Sequence, residues 1–227
     1  MAQLSASVYR LKGCVNVKGV FPDALDSRTF EFARFRVRFV FVELEDRYVV
    51  CFRGSILRRA SWKLNVSTKL AKIPFGIGSR MHSGYMRQAL RAYHALKGRL
   101  GRDKPVILAG HSQGGALALC LATHLVRYQH RTDIAVMSFG QPKVGDAGYC
   151  RYLDLYRPIE VQRFVNLGDG VALCPPVAFG YQHCEMPRYL LGNRTATDSA
   201  RFRFGAMRTL RKHPVALYVQ NLEAPTP

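Results

Sequence analysis

Apolar residues recur along this chain with two different periods, and the switches between them mark its elements. From Phe35 to Val42 the sequence is rich in Val and Phe, with Arg36 and Arg38 on alternate positions. That period of two is a strand signal. The acidic stretch ELED follows, then RYVVCFRG, a second apolar run, so the pair predicts a β-hairpin. From residue 82 to about 99 the period lengthens. Tyr85, Leu90, Tyr93 and Leu96 fall at helical spacing, and Gly101 is placed to end the helix. KPVILAG is then a short apolar strand, followed after GHSQG by GALALCLATHLVRY, which is apolar nearly all round and predicts a buried helix. DIAVMSFG and VQRFVNLGD repeat the strand form, and HPVALYVQNL predicts a terminal helix. Short apolar strands alternating with longer helices imply a mostly parallel central sheet with helices on both faces. No repeat or linker divides the sequence, so one α/β domain over 1–227 is expected, with a frayed EAPTP tail.

Composition narrows the class. A chain of 227 residues buries on the order of 70% of its unfolded surface and can build a core without metal or disulfide. No apolar run approaches the roughly 18 residues of a membrane span. The start, MAQLSASVYRLKGC, lacks the apolar core of a signal peptide, so the expectation is cytoplasmic residence after synthesis, with export by a signal-independent route left open. The six cysteines (Cys14, Cys51, Cys120, Cys150, Cys174 and Cys184) include no CxxC pair, which argues against zinc. They are expected as reduced thiols, with a Cys174–Cys184 bridge the alternative in an oxidising compartment.

Charge changes the picture more than composition does. Thirty-four Lys and Arg stand against 15 acids, a formal charge of +19. Such a field favours anionic partners: nucleic acid, an anionic lipid surface or an acidic protein. The sequence shows no zinc-finger, RNP or heptad signature, and its arginines are scattered among strand-like segments, so specific nucleic-acid binding without turnover is the weaker reading.

The candidate chemistry begins at Gly110-His111-Ser112-Gln113-Gly114, a G-x-S-x-G pattern. Alone it is weak, with about 0.1 chance occurrences in a chain of this length. Its place between a buried strand and a buried helix strengthens it, because a nucleophile elbow needs that context. The glycines let strand and helix pass closely, and the helix N-terminus directs free N–H groups at a developing oxyanion. In such a fold the acid and then the base follow the serine. His124 and His130 lie in or just past the helix after the elbow and point away from its start, which leaves His183 and His213 as candidate bases. Asp169 leaves the C-terminal end of a predicted strand, where ligand sites of open α/β sheets form. Asp146 and Asp154 precede that strand, in a segment read as loop and helix.

Six segments in order resemble the class 3 (fungal-type) lipases of the α/β-hydrolase superfamily: FRGS at 52–55, MHSGY at 81–85, GHSQGGALA at 110–118, SFGQPKVGD at 138–146, RFVNLGDGVALCPP at 163–176 and HPVALY at 213–218. The resemblance implies an α/β-hydrolase fold and a triad of Ser112, Asp169 and His213. It implies an oxyanion hole from Ser55 and the backbone N–H of Gln113, with a structural role for His183. Lys212 stands where the family often has an aspartate, and Asp169-Gly170-Val171 replaces its D-P-V. The segment between Ser55 and His82 carries the lid in this family. Here Ile56, Leu57, Trp62 and Leu64 mix with Arg58, Arg59, Lys63, Lys69 and Lys72, a basic amphipathic composition suited to peripheral contact with an anionic membrane. The implied activity is hydrolysis of lipid esters through an acyl-enzyme, by a lipase or esterase, with a phospholipase A1 acting on anionic membranes as the alternative. No metal or organic cofactor is implied.

Overall fold

The computed structural model describes residues 1–9, 15–55, 70–72, 79–156, 159–190, 195–196 and 210–223. The lid residues Ile56, Leu57, Trp62 and Leu64, together with Cys14 and the tail 224–227, lie outside them. In chain order the strands are β1 Asp26–Phe32, β2 Val37–Glu43, β3 Tyr48–Phe52, β4 Leu70–Lys72, β5 Arg80–His82, β6 Val106–His111, β7 Ile134–Phe139, β8 Ile159–Asn166, β9 Pro187–Leu190 and β10 Thr195–Ala196. The helices are α1 Ala2–Ser7, α2 Ser83–Leu96, α3 Gln113–Gln129, α4 Ala147–Tyr156 and α5 Val215–Glu223.

Eight strands form one sheet in the order β1-β2-β3-β6-β7-β8-β9-β10, while β4 and β5 form a separate hairpin. Pairing is parallel from β3 through β9 and antiparallel at both margins. This is the α/β-hydrolase architecture, with a mostly parallel sheet and helices on both faces. The period-two pattern decides which face each residue serves. Phe39 and Phe41 of β2, Val50 and Phe52 of β3 and Leu108 of β6 pack against α2 and α3. Val40, Val42, Val49 and Cys51 turn to the other face and meet Leu4 and Val8 at the N-terminal helix. Tyr218 of α5 joins Phe139, Phe164 and Leu190 on that second face.

The buried helix expected after the elbow is α3, where twelve consecutive residues from Gly114 to Leu125 are buried. Strand β1 escaped the sequence reading. Its residues are exposed or half-buried, so its apolar alternation is diluted, and only pairing with β2 defines it. One expectation is corrected. Cys150 of α4 and Cys184 pair as a disulfide, with Cα atoms 4.5 Å apart. Cys174, the partner considered for Cys184, is free, as are buried Cys51 and Cys120. The cause is local topology: a backbone bridge between Gly145 and Gln182 lays the 182–184 segment beside the start of α4.

Candidate active site

Ser112 sits between the last residue of β6 and the first of α3. Its backbone has a positive φ, at φ 57° and ψ −129°. A non-glycine residue there is strained, and the surroundings must enforce it. They do so through backbone packing. The Ser112 N–H donates to the Phe139 carbonyl at 2.8 Å, and the Gly115 N–H donates to the Ser112 carbonyl at 3.0 Å. At Gly114, a Cβ would stand 2.4 Å from the Phe52 carbonyl oxygen, so only glycine lets α3 begin this close to β3. Gly54 is tight for the same reason: a Cβ there would lie 2.6 Å from the His111 carbonyl oxygen and 3.0 Å from Ser112 Cβ. The FRGS segment therefore runs directly alongside the serine.

Asp169 and His213 arrive from far apart in sequence. Asp169 follows β8 and is buried, and His213 follows a short 3-10 turn at Leu210–Lys212 and is 2% exposed. His213 Nδ1 lies 2.8 Å from Asp169 Oδ2, and the Tyr218 hydroxyl donates to the same oxygen at 2.6 Å. The Val171 N–H donates to Asp169 Oδ1 at 2.8 Å. Burial alone would push this carboxyl up, but bonds from His213, Tyr218 and Val171 outweigh it and hold it below the usual carboxylate range. Asp169 is thus an ionised, fully hydrogen-bonded acceptor that fixes one face of the imidazole.

His111 links this pair to the serine. Its Nε2 lies 2.6 Å from the His213 carbonyl oxygen and its Nδ1 lies 2.8 Å from the Tyr9 hydroxyl. A carbonyl only accepts, so Nε2 carries the proton and Nδ1 accepts from Tyr9. The ring is buried among these partners, which pushes its pKa down to about 3 and keeps it neutral. The residue before Ser112 therefore grips the backbone of His213, and their rings stand 4.5 Å apart. Asn166 adds a second grip by donating to the Lys212 carbonyl at 3.1 Å, while Asn221 donates to Asn166 at 2.8 Å.

The other candidates fall elsewhere. His183 donates from Nε2 to the Ala172 carbonyl at 2.5 Å, bracing the turn after Asp169. Asp146 accepts from the Arg80 guanidinium at 3.0 Å and from the Tyr149 N–H at 2.9 Å, capping α4. Asp154 lies on the exposed side of α4. Ser55 and Gln113 are together: the Ser55 hydroxyl donates to Gln113 Oε1. Sequence reasoning gave no role to Tyr9, His111, Asn166, Tyr218 or Gln88. Tyr218 and Asn166 stand inside the HPVALY and N-x-x-D segments, so their spacing to His213 and Asp169 was the available signal.

The arrangement has the parts of an acyl-transfer site: a strained serine elbow at a helix N-terminus, and a buried carboxylate–imidazole pair whose histidine backbone is bonded by His111, the residue before the serine. Among the described residues no cluster of three or more His, Cys, Asp or Glu could hold a metal ion. A cavity lined by Asp46, Asp133 and Glu160 lies at the opposite, N-terminal ends of the parallel strands and contains none of these groups.

The family model "Lipase (class 3)" matches residues 49–179, more than half of the chain. The chain is 28% identical over 162 residues to a lipase of Rhizomucor miehei, covering 67% of this chain and 44% of that enzyme. It is 33% identical over 105 residues to a phospholipase A1, EG1, of Oryza sativa subsp. indica, covering 45% of this chain and 24% of that protein. The chain spans less than half the length of the curated relatives it matches. In fold it resembles the Rhizomucor miehei triacylglyceride lipase, with a TM-score of 0.76 at 20% identity over 93% of this chain and 89% of that one. The chain belongs to the class 3 lipase family.

Proposed function

We propose that this member of the class 3 lipase family is a serine hydrolase of lipid carboxylic esters. One observation carries the reading: Ser112 sits strained at a helix N-terminus, and its neighbour His111 bonds the backbone of His213, whose imidazole is paired with buried Asp169. His213 takes the Ser112 proton as the hydroxyl attacks the ester carbonyl. Asp169 holds the imidazole tautomer and stabilises the imidazolium. Backbone N–H groups of Ser55 and Gln113 receive the oxyanion, each worth on the order of 10²–10³ in rate. His213 then returns its proton to the leaving alcohol, and water releases the acyl group by the same route. The fungal relative is called a lipase, and triacylglycerols are the substrate class that likeness favours.

The test is hydrolysis of p-nitrophenyl esters from C2 to C16 by the wild type and Ser112→Ala. Turnover that falls by at least about 10⁴-fold in the variant is expected. Wild-type protein inert on every chain length sinks the reading.

A second reading, phospholipase A1 action on anionic membranes, rests on charge. Exposed Arg87, Arg91 and His94 on α2, a helix without an acidic residue, and Lys97 just past its end form one stripe in a chain of charge +19. Such a stripe suits an anionic headgroup layer. Activity on phosphatidylglycerol vesicles that is no higher than on triolein emulsion, and insensitive to salt, removes it.

A further inference from the structure

The two residues proposed to supply the oxyanion donors are also joined by their side chains, and a third residue extends that link into the sheet margin. The Ser55 hydroxyl donates to Gln113 Oε1. Gln113 Nε2 donates to Gln88 Oε1 at 2.6 Å. Gln88 Nε2 donates to the Phe35 backbone carbonyl at 2.8 Å. The direction of this chain is fixed at its far end. A carbonyl can only accept, so Gln88 must present its NH₂ to Phe35 and its oxygen to Gln113. Gln113 must then present its NH₂ to Gln88 and its oxygen to Ser55. One acceptor between β1 and β2 thereby sets the orientation of two amides and the hydroxyl of Ser55.

We propose that Gln88 and the side chain of Gln113 are positioning residues for the oxyanion hole. An oxyanion between two N–H donors is bound well only if the donors are held at the right separation beforehand. Ser55 lies at the end of the FRGS segment, after β3, and Gln113 opens α3. Gly54 is packed against Ser112, and Ser55 follows it at the end of the FRGS segment. The Ser55–Gln113 bond ties the two walls together, and Gln88 of α2 keeps Gln113 from turning away. Ser55 Oγ–H is spent on this bond, so Ser55 serves the oxyanion through its backbone N–H. The proposal rests on the ester-hydrolase reading.

The experiment is a double-mutant cycle on p-nitrophenyl ester hydrolysis with Gln88→Leu, Ser55→Ala and the pair, beside Ser112→Ala. Gln88→Met and Gln113→Met repeat the test in case one shape folds poorly. Each single change is expected to lower kcat roughly tenfold, the scale of one neutral hydrogen bond, with KM within about twofold. The double variant is expected to lose no more than the larger single loss, because both cut the same chain. Losses that multiply, or that fall on KM alone, overturn the proposal while Ser112 dependence leaves the hydrolase reading intact. If Ser112→Ala keeps wild-type turnover, the hydrolase reading fails first, and with it the oxyanion hole.

Discussion

Ser112 and His213, the proposed nucleophile and base, are held by different forces. Ser112 is fixed by backbone: a strand, a helix and glycines close enough that a Cβ would collide. His213 is fixed by side chains. It lies between a three-residue turn and α5, where Asp169 after β8 and His111 of β6 grip it and Asn166 grips the Lys212 carbonyl just before it. The first mode stores strain and leaves little room for substitution. The second spreads positioning over groups that can be altered singly. Changes in the two halves should therefore fail differently, one in folding and the other in rate.

The largest expected effect is in the side-chain half. Asp169→Asn keeps the shape but has one acceptor oxygen: with it on the Val171 N–H, an NH₂ faces Tyr218 and His213, the wrong hydrogen-bonding face for the imidazole. A loss of about 10⁴ in kcat is expected, with the near-UV circular dichroism unchanged. A loss under tenfold would mean that His111 and Asn166 orient the ring without the carboxylate. The next effect is in the backbone half. Gly114→Ala places a methyl 2.4 Å from the Phe52 carbonyl oxygen and 2.9 Å from its carbon, both main-chain atoms that cannot swing aside. A destabilisation of about 3 kcal/mol is expected, read as a fall of roughly 10 °C in Tm. A variant with wild-type Tm and merely reduced kcat would erase the contrast.

The same contrast explains what the sequence disclosed. A site held by backbone packing leaves glycines at fixed spacing, so Gly110-His111-Ser112-Gln113-Gly114 was readable, as were the apolar strand and helix around it. A site held by side chains leaves ordinary residues at unremarkable separations. The residues alone left both His183 and His213 as candidate bases, and the resemblance to class 3 lipases pointed to His213. Tyr9 reaches His111 across 102 positions and Gln88 reaches Gln113 across 25. No local pattern encodes either. Cys150 and Cys184 are separated by 34 residues and are joined by a bridge between two irregular segments, which periodicity cannot foresee. The edge strand β1 was missed because half-exposure blurs alternation.

The smallest expected effect uses pH to weigh the two halves together. Burial pushes the His111 and His183 pKa values down to about 3 and His82 down to about 4. All three are therefore neutral when folded, whereas unfolded histidine titrates near 6.5. Above about pH 6.5 neither state binds these protons, and the stability is fully present. As pH falls below that value the unfolded chain takes up protons that the folded chain refuses, so stability drops progressively until the folded pKa values are reached. The urea midpoint is expected to fall between pH 7 and pH 4.5 with an uptake approaching three protons. His82 lies on the side of the proposed oxyanion hole: its Nδ1 accepts from the Gly84 and Tyr85 N–H groups at 3.1 and 3.2 Å, capping the helix that carries Gln88. Protonation at Nδ1 would abolish that cap. His82→Asn supplies another good cap without a titrating ring. It is expected to lower stability at pH 7, because the ring stacked 3.8 Å from Tyr85 is lost, yet to flatten the acid slope by about one proton. An unchanged slope would place all the acid sensitivity on the side that holds His213.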